Sequence, residues 1–161
     1  EFMESDFRTI NKIFNTQKNY QHRIKRLGDI FVSSFLIICS SPILLLVVLL
    51  IFLEDRGPVL YSQIRNGFNG NKFKIVKFRS MHVNAEKNGA QWAENCDPRI
   101  TKIGKIIRTT IIEELPQLFC VLNGKISLID PSPERPEIEG KLIKHIPYLK
   151  FRENVIPGIS G

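Results

Sequence analysis

The feature that constrains this chain most is an apolar run from Ile30 to Leu53, in which 24 consecutive residues carry no charge. As one helix the run would be about 36 Å long, which is enough to cross a hydrocarbon core of about 30 Å. A secretory signal peptide fits poorly, because the run begins late and no small-residue cleavage site follows it. The run therefore predicts a retained membrane segment.

Proline interrupts the middle of this run, where Pro42 follows Ser40 and Ser41. A proline inside a helix removes one backbone N–H and its ring clashes with the preceding turn. We therefore predict a re-entrant helix-break-helix with its break at Ser41-Pro42, where serine hydroxyls bond the freed carbonyls. Each half would reach only about 18 Å, so the segment could enter one leaflet and return to the same side.

Basic residues flank the run on both sides. Those before it are Lys12, Lys18, Arg23, Lys25 and Arg26, and those after it are Arg56, Arg65, Lys72, Lys74, Lys77 and Arg79. The positive-inside bias places both flanks in the cytoplasm, which favours the re-entrant hairpin. A plain spanning helix with a mild proline kink and a buried core helix stay open as alternatives.

The overall charge narrows the choice of partners. Lysine and arginine number 23 against 16 aspartates and glutamates, which gives a net charge of +7. Such a surplus favours phosphates, anionic lipid or nucleic acid. A nucleic-acid partner rests on charge alone and the uncharged run argues against it, so we expect none. An apolar content of 43% excludes a disordered chain.

The pattern predicts an α+β protein, mainly helical, in three parts. Residues 1–28 combine a cloning remnant, Glu1-Phe2, with a basic amphipathic helix. Residues 29–56 form the membrane segment, and residues 57–161 form a small cytoplasmic domain.

Within this domain, turn signals and helical spacing predict the elements. Asn66-Gly67 and Asn69-Gly70 lie between the β-rich stretches Val59–Arg65 and Lys72–Ser80, which predicts a β-hairpin. Residues 100–110 form a short basic element. A helix is predicted from Glu113 to Asn123, with Thr110-x-x-Glu113 as a capping box and Gly124 as its stop. Residues 137–152 form a second amphipathic, interfacial helix.

Two adjacent carboxylates are the best candidates for chemistry. Glu113 and Glu114 could hold a divalent cation through oxygen ligands while one of them attacks phosphorus. The alternative is that they only cap the helix and favour its dipole. Spacing leaves both interpretations open.

A set of charged residues could line a diphosphate pocket, since arginine offers two parallel donors to phosphate oxygens. The candidate substrate-binding residues are Lys77, Arg79, Asp97, Arg99, Arg108, Glu134 and Arg135. A solvated basic face turned towards anionic lipid is the alternative. No glycine-rich nucleotide loop occurs, so side chains and turns would have to hold a nucleotide.

Together these pieces resemble the bacterial sugar transferase family, the monotopic polyprenol-phosphate phosphoglycosyl transferases, from about Lys25 to the last residue. The motifs that carry the likeness are Lys25-Arg26-x-x-Asp29, Ser41-Pro42 within the apolar run, Gly57-Pro58-Val59-Leu60-Tyr61, Gln63-x-Arg65-x-Gly67, Lys77-Phe78-Arg79-Ser80-Met81, Asp97-Pro98-Arg99-Ile100-Thr101, Glu114-Leu115-Pro116-Gln117-Leu118 and Pro157-Gly158.

The resemblance implies transfer of a phosphosugar from a UDP-sugar to a polyprenol phosphate, with UMP released and Mg²⁺ required. It places the protein at the cytoplasmic face of the bacterial inner membrane, among membrane lipids, in capsule, O-antigen or glycoconjugate assembly. Glu113 matches the nucleophile that forms a covalent phosphosugar intermediate, and both Glu113 and Glu114 match the metal site. Self-association and a catalytically silent membrane adaptor with the same fold stay open.

The chain departs from the family pattern in a few places. Glu113 stands where the pattern has aspartate, Ser132 replaces an arginine between two prolines, and Asp130 replaces a glycine. The last two changes are expected to disfavour a diphosphate. Relatives continue beyond the segment that ends here at Gly161, so we expect the C-terminus to be truncated.

Overall fold

The computed structural model describes residues 21–85, 87, 97–136, 139–140, 143, 146 and 152–160. The helices are α1 (Gln21–Glu54), α2 (Lys102–Thr109) and α3 (Gln117–Leu122), and the strands are β1 (Leu60–Asn66), β2 (Lys72–Phe78), β3 (Ser127–Ile129) and β4 (Gly158–Ser160). Short 3-10 helices lie at Phe68–Gly70 and Ile112–Glu114. In the described part of the chain, a long apolar helix therefore accompanies small sheets.

Helix α1 runs through Pro42 as one element, so the predicted division into two separate helices is not seen. The expected serine contacts are present. The Ser41 hydroxyl donates to the Ile38 carbonyl at 2.8 Å, and the Ser40 hydroxyl donates to the Leu36 carbonyl at 2.6 Å. The Ile38 carbonyl is the one that an amide at position 42 would have bonded. The serine hydroxyl therefore replaces the donor that proline lacks, and the helix continues.

One stripe of α1 faces the rest of the protein. Asp29 and Ser33 are buried one turn apart near its start, and Val47 and Ile51 are buried one turn apart near its end. The other faces expose large apolar side chains, such as Phe31, which is 76% exposed. Within the described residues, α1 is the one helix long and apolar enough to cross a membrane. This exposure contradicts the alternative of a buried core helix.

The β-hairpin is confirmed. Strands β1 and β2 pair antiparallel from Leu60 opposite Phe78 to Asn66 opposite Lys72. The connection uses left-handed backbone at Asn69 (φ 55°) and Gly70 (φ 73°), which asparagine and glycine adopt more readily than other residues. The hairpin also contacts the loop after β3, where the Asn66 amide donates to the Glu134 carbonyl at 3.3 Å.

The short basic element is helix α2, and it lies very close to the end of the hairpin. The Thr101 hydroxyl caps α2 by accepting from the Gly104 amide at 2.8 Å. A Cβ atom at Gly104 would lie 1.9 Å from the Ser80 carbonyl oxygen, so this position requires glycine. The contact fixes α2 against the segment that follows β2.

The predicted capping box between Thr110 and Glu113 is wrong. The Thr110 hydroxyl donates to the Ile106 carbonyl at 2.8 Å, which ends α2 instead of beginning a new helix. Ile111 then adopts a left-handed conformation (φ 61°), and the carboxylate pair lies in a 3-10 turn. Helix α3 begins only at Gln117, and Gly124 (φ 73°) follows its end, as predicted.

Two small apolar clusters hold these elements together. In the first, Val47 and Ile51 of α1 pack with Phe78 and Ile107, which joins α1 to the hairpin and α2. The second surrounds Val121 of α3 and connects it to the hairpin and to the parallel pair of β3 and β4. The predicted helix over 137–152 and most of that over 1–28 lie outside the described residues. The carboxylate pair lies in the chain between α2 and α3.

Candidate active site

A cavity of about 450 Å³ opens between the hairpin, the end of α2 and the proline-rich loop after β3, which comprises residues 130–136. The site residues predicted from the sequence that line it are Lys77, Arg79, Arg108, Glu113, Glu134 and Arg135. Apolar side chains, including Leu60 and Phe78, complete its wall. The fold thus brings two carboxylates and several cations to a shared space.

The two adjacent glutamates face different cations. Glu113 lines the cavity with its side chain 17% exposed, and its Oε2 lies 3.8 Å from Nε of Arg108. Glu114 is not among the lining residues, and its Oε1 accepts from Nζ of Lys77 at 2.5 Å. No side-chain hydrogen bond caps α3. Neither glutamate therefore caps α3 through a hydrogen bond, although both lie in the first turn of the 3-10 helix, where their charge favours the helix dipole.

Arg79 is the most buried cation of the cavity, at 6% exposure. Its Nη2 donates to the Asp55 carbonyl, and the Asp55 carboxylate lies 3.8 Å away. Its Nε and Nη1 are buried and make no hydrogen bond to any described residue, and the same holds for Nη1 of Arg108. Buried donors normally have partners. Those N–H groups are thus available to an anion.

Gly57 allows the Arg79 guanidinium to lie where it does. A Cβ atom at this position would be 2.5 Å from Nη1 of Arg79 and 2.8 Å from the Val83 side chain. The glycine therefore shapes the wall behind the guanidinium.

Sequence reasoning missed other lining residues on strand β1. Tyr61, Gln63 and Arg65 line the cavity, and Nη1 of Arg65 donates to the Pro133 carbonyl at 3.0 Å. Their spacing of two places them on one face of the strand. That alternation, together with the predicted hairpin, could have identified them.

Asp97 and Arg99 are not among the lining residues of the cavity. Nε of Arg99 donates to Oδ1 of Asp97 at 2.9 Å, and its Nη2 donates to Oδ2 at 2.6 Å. The Arg99 carbonyl accepts from the His82 amide at 2.9 Å. The pair thus supports the segment after β2, and direct contact with a substrate stays a prediction.

The two substitutions in the proline-rich loop have local partners. Asp130 pairs with Lys25 of α1 and is not among the lining residues. The Ser132 carbonyl accepts from Nη2 of Arg152 at 2.6 Å. The expected repulsion between Asp130 and a diphosphate is therefore reduced, because a lysine already neutralises that carboxylate.

Glu113 and Glu114 fit one mode of magnesium binding. Within the described residues, no cluster of three or more histidine, cysteine, aspartate or glutamate side chains occurs. Mg²⁺ is usually held by one or two carboxylates together with substrate phosphates. Lys77 bonds Oε1 of Glu114, and no described residue donates a hydrogen bond to its Oε2. The two carboxylates therefore suit a cation that the phosphate groups of the substrate also bind.

Comparison with known proteins identifies the family of this chain. The model of the bacterial sugar transferase family matches residues 20–161. An Aeromonas hydrophila protein named UDP-N-acetylgalactosamine-undecaprenyl-phosphate N-acetylgalactosaminephosphotransferase is 46% identical over 138 residues, which are 86% of this chain and 33% of that protein.

Two further relatives differ in how much of them the chain covers. A Bacillus subtilis protein, described provisionally as an undecaprenyl-phosphate N-acetylgalactosaminyl 1-phosphate transferase, is 48% identical over 80% of this chain and 72% of its own length. A Klebsiella pneumoniae UDP-glucose:undecaprenyl-phosphate glucose-1-phosphate transferase is 40% identical over 85% of this chain and 30% of its own length. The chain belongs to the bacterial sugar transferase family.

Proposed function

We propose that this chain transfers a phosphosugar from a UDP-sugar to a polyprenol phosphate, undecaprenyl phosphate in the first instance, and releases UMP. The observation that carries the proposal is the position of Glu113, which faces a cavity where Arg79 and Arg108 have buried N–H donors with no partner among the described residues. The names of the relatives support the acceptor.

In the first step, the Glu113 carboxylate attacks the phosphorus that bears the sugar. A bond forms between that phosphorus and the glutamate oxygen, and the bond to the bridging oxygen breaks, so that UMP leaves with the electron pair. Arg79 and Arg108 neutralise the diphosphate through charge-assisted hydrogen bonds. The 3.8 Å contact with Arg108 orients Glu113 for this attack.

In the second step, a phosphate oxygen of the polyprenol phosphate attacks the same phosphorus. The bond to Glu113 breaks, which regenerates the carboxylate and yields a polyprenyl diphosphate sugar. Lys77, held 2.5 Å from Glu114, adds a third positive charge beside the reacting groups.

We include Mg²⁺ in the proposal, held by Glu113 and Glu114 together with substrate phosphate oxygens. When bound, the ion would offset negative charge that develops on the diphosphate. Lys77 bonds Oε1 of Glu114, so Oε2 would be the oxygen that binds the ion.

We further propose that α1 bends at Pro42 without breaking, enters one leaflet and has both of its ends at the cytoplasmic face of the inner membrane. The Asp29 carboxylate at its start accepts from the Ser127 hydroxyl at 2.8 Å. The Glu54 carboxylate at its end accepts from the Lys102 amide at 2.7 Å. A straight crossing would put these ends on opposite sides of the bilayer, yet both contact one small domain.

An assay of UMP release tests the function. The full chain is incubated with undecaprenyl phosphate, Mg²⁺ and a series of UDP-sugars, beginning with UDP-N-acetylgalactosamine and UDP-glucose. We expect UMP release that depends on the acceptor, and Glu113→Gln serves as the inactive control. Binding of lipid without UMP release from any donor would instead support the silent adaptor.

A further inference from the structure

Three charged side chains, Lys25, Arg26 and Asp29, lie within about one turn of α1. They contact the segment that leads from the carboxylate pair to the proline-rich loop. We propose that they are positioning residues, which fix Glu113 and the cavity relative to the membrane helix, and that Arg26 contributes most. The expected effect on turnover rests on the proposed function, whereas the expected effect on the structure of this segment does not.

Arg26 holds the end of α3. Its Nη1 donates to the Val121 carbonyl and its Nη2 donates to the Leu122 carbonyl at 2.7 Å. The last carbonyls of a helix lack partners within that helix, and a cation there also favours the helix dipole. Because α3 begins at Gln117, three residues after Glu114, its other end leads directly to the carboxylate pair. Arg26 therefore restrains the helix that supports the pair.

Asp29 and Lys25 hold the strand that follows. The buried Asp29 carboxylate accepts from the Ser127 hydroxyl at 2.8 Å and from the Leu128 amide at 3.5 Å. Nζ of Lys25 donates to the Ile129 carbonyl at 3.0 Å and pairs with Asp130. The next residues form the loop that carries Glu134 and Arg135 into the cavity. Contacts from one turn of α1 thus reach both sides of the site.

These contacts argue against the simpler role of binding lipid headgroups. A headgroup needs a positive charge that is free to reach it, and lysine or arginine would serve equally. Two carbonyls of one helix end instead match the planar fork of arginine, which lysine cannot reproduce. Exposed Arg23, one turn earlier, has no partner among the described residues and provides a matched cation.

The test compares Arg26→Lys and Arg26→Ala with Arg23→Lys and Arg23→Ala in the full chain, in vesicles that contain phosphatidylglycerol. Hydrogen exchange of the amides over 117–130 is measured together with vesicle flotation and acceptor-dependent turnover. We expect both Arg26 variants to exchange about tenfold faster or more in this segment, since charged hydrogen bonds are lost. The kcat should fall by a similar factor while the donor KM and flotation of Arg26→Lys stay unchanged.

Native exchange and turnover in Arg26→Lys, with weaker flotation in Arg26→Ala, would overturn the inference in favour of headgroup binding. If Arg26→Ala fails to fold, a cycle of Asp29→Asn and Ser127→Ala replaces it, and additive effects on exchange would likewise overturn the inference. If the native chain proves inactive with every donor, the proposed function fails, whereas the exchange measurement still decides on positioning.

Discussion

The two ends of α1 contact the domain with opposite charges. At the N-terminal end, Arg26 supplies N–H groups to the carbonyls that end α3. At the C-terminal end, the Glu54 carboxylate accepts from the Lys102 and Ile103 amides that begin α2, at 2.7 and 3.0 Å. Each charge suits the helix end it meets, because helix starts carry free donors and helix ends carry free acceptors.

The comparison indicates that α1 is more than a membrane tether. The carboxylate pair lies in the chain between α2 and α3, and each of these helices is held by one end of α1. Changes at either end should therefore reach Glu113, although by different routes. Variants at Glu113 test the site itself, and variants at Arg79 and Glu54 test its support at the C-terminal end of α1, in order of decreasing effect.

Loss of the Glu113 charge should have the largest effect. Glu113→Gln removes the attacking carboxylate but keeps the size of the side chain, so we expect turnover to fall by roughly 10³-fold or more. UMP release measures this loss, and the unfolding transition should stay unchanged. Retention of more than a tenth of the native rate would contradict the role of Glu113.

Shortening the same side chain should act in the opposite direction. Glu113→Asp restores the residue of the family pattern, and a misplacement of about 1 Å at a reacting atom can cost about 10²-fold. We expect an increase in kcat of up to that size, measured by UMP release with saturating donor. An unchanged rate would show that the additional methylene of Glu113 does not impair catalysis.

Arg79 connects the C-terminal end of α1 to the cavity. Arg79→Lys keeps the charge but cannot contact Asp55 and a diphosphate together, so we expect kcat/KM for the donor to fall by about 10- to 100-fold. The matched control is Lys105→Gln on the exposed face of α2, which should change the same ratio little. Equal effects of the two variants would speak against an anion site at Arg79.

The cap of α2 should show the smallest effect. Glu54→Gln leaves one neutral acceptor for two amides, and we expect the free energy of unfolding to fall by about 1 kcal/mol in denaturant titrations. Glu54→Asp keeps the charge but is too short to reach both amides. If Glu54→Asp were as stable as the native chain, the charge would matter and the bidentate contact would not.

Local patterns predicted a good part of this fold. The Asn-Gly turns identified the hairpin, and Gly124 marked the end of α3, because both depend on the backbone preferences of neighbouring residues. The basic cavity residues were recognisable as a group, since phosphate chemistry requires arginine and lysine.

Features that depend on competing partners were not predictable. Pro42 and the expected serine contacts predicted a division of α1, yet with the Ser41 hydroxyl bonded to Ile38 the helix continues through the proline. Thr110 matched a capping box, yet its hydroxyl bonds backwards to Ile106. Likewise Asp97 and Arg99 were separate candidates in the sequence, whereas the fold pairs the carboxylate with the guanidinium, and their contact with a substrate stays a prediction. In each case the sequence identifies the hydrogen-bonding side chains, but which partner each of them takes depends on the folded structure.

Intact mass spectrometry of the chain mixed with a UDP-sugar, in the absence of polyprenol phosphate, tests the central claim most directly. We expect a mass increase of one phosphosugar that maps to Glu113, is absent in Glu113→Gln and disappears when undecaprenyl phosphate is added. Acceptor-dependent UMP release without any such adduct, or an adduct that persists in Glu113→Gln, would contradict the account.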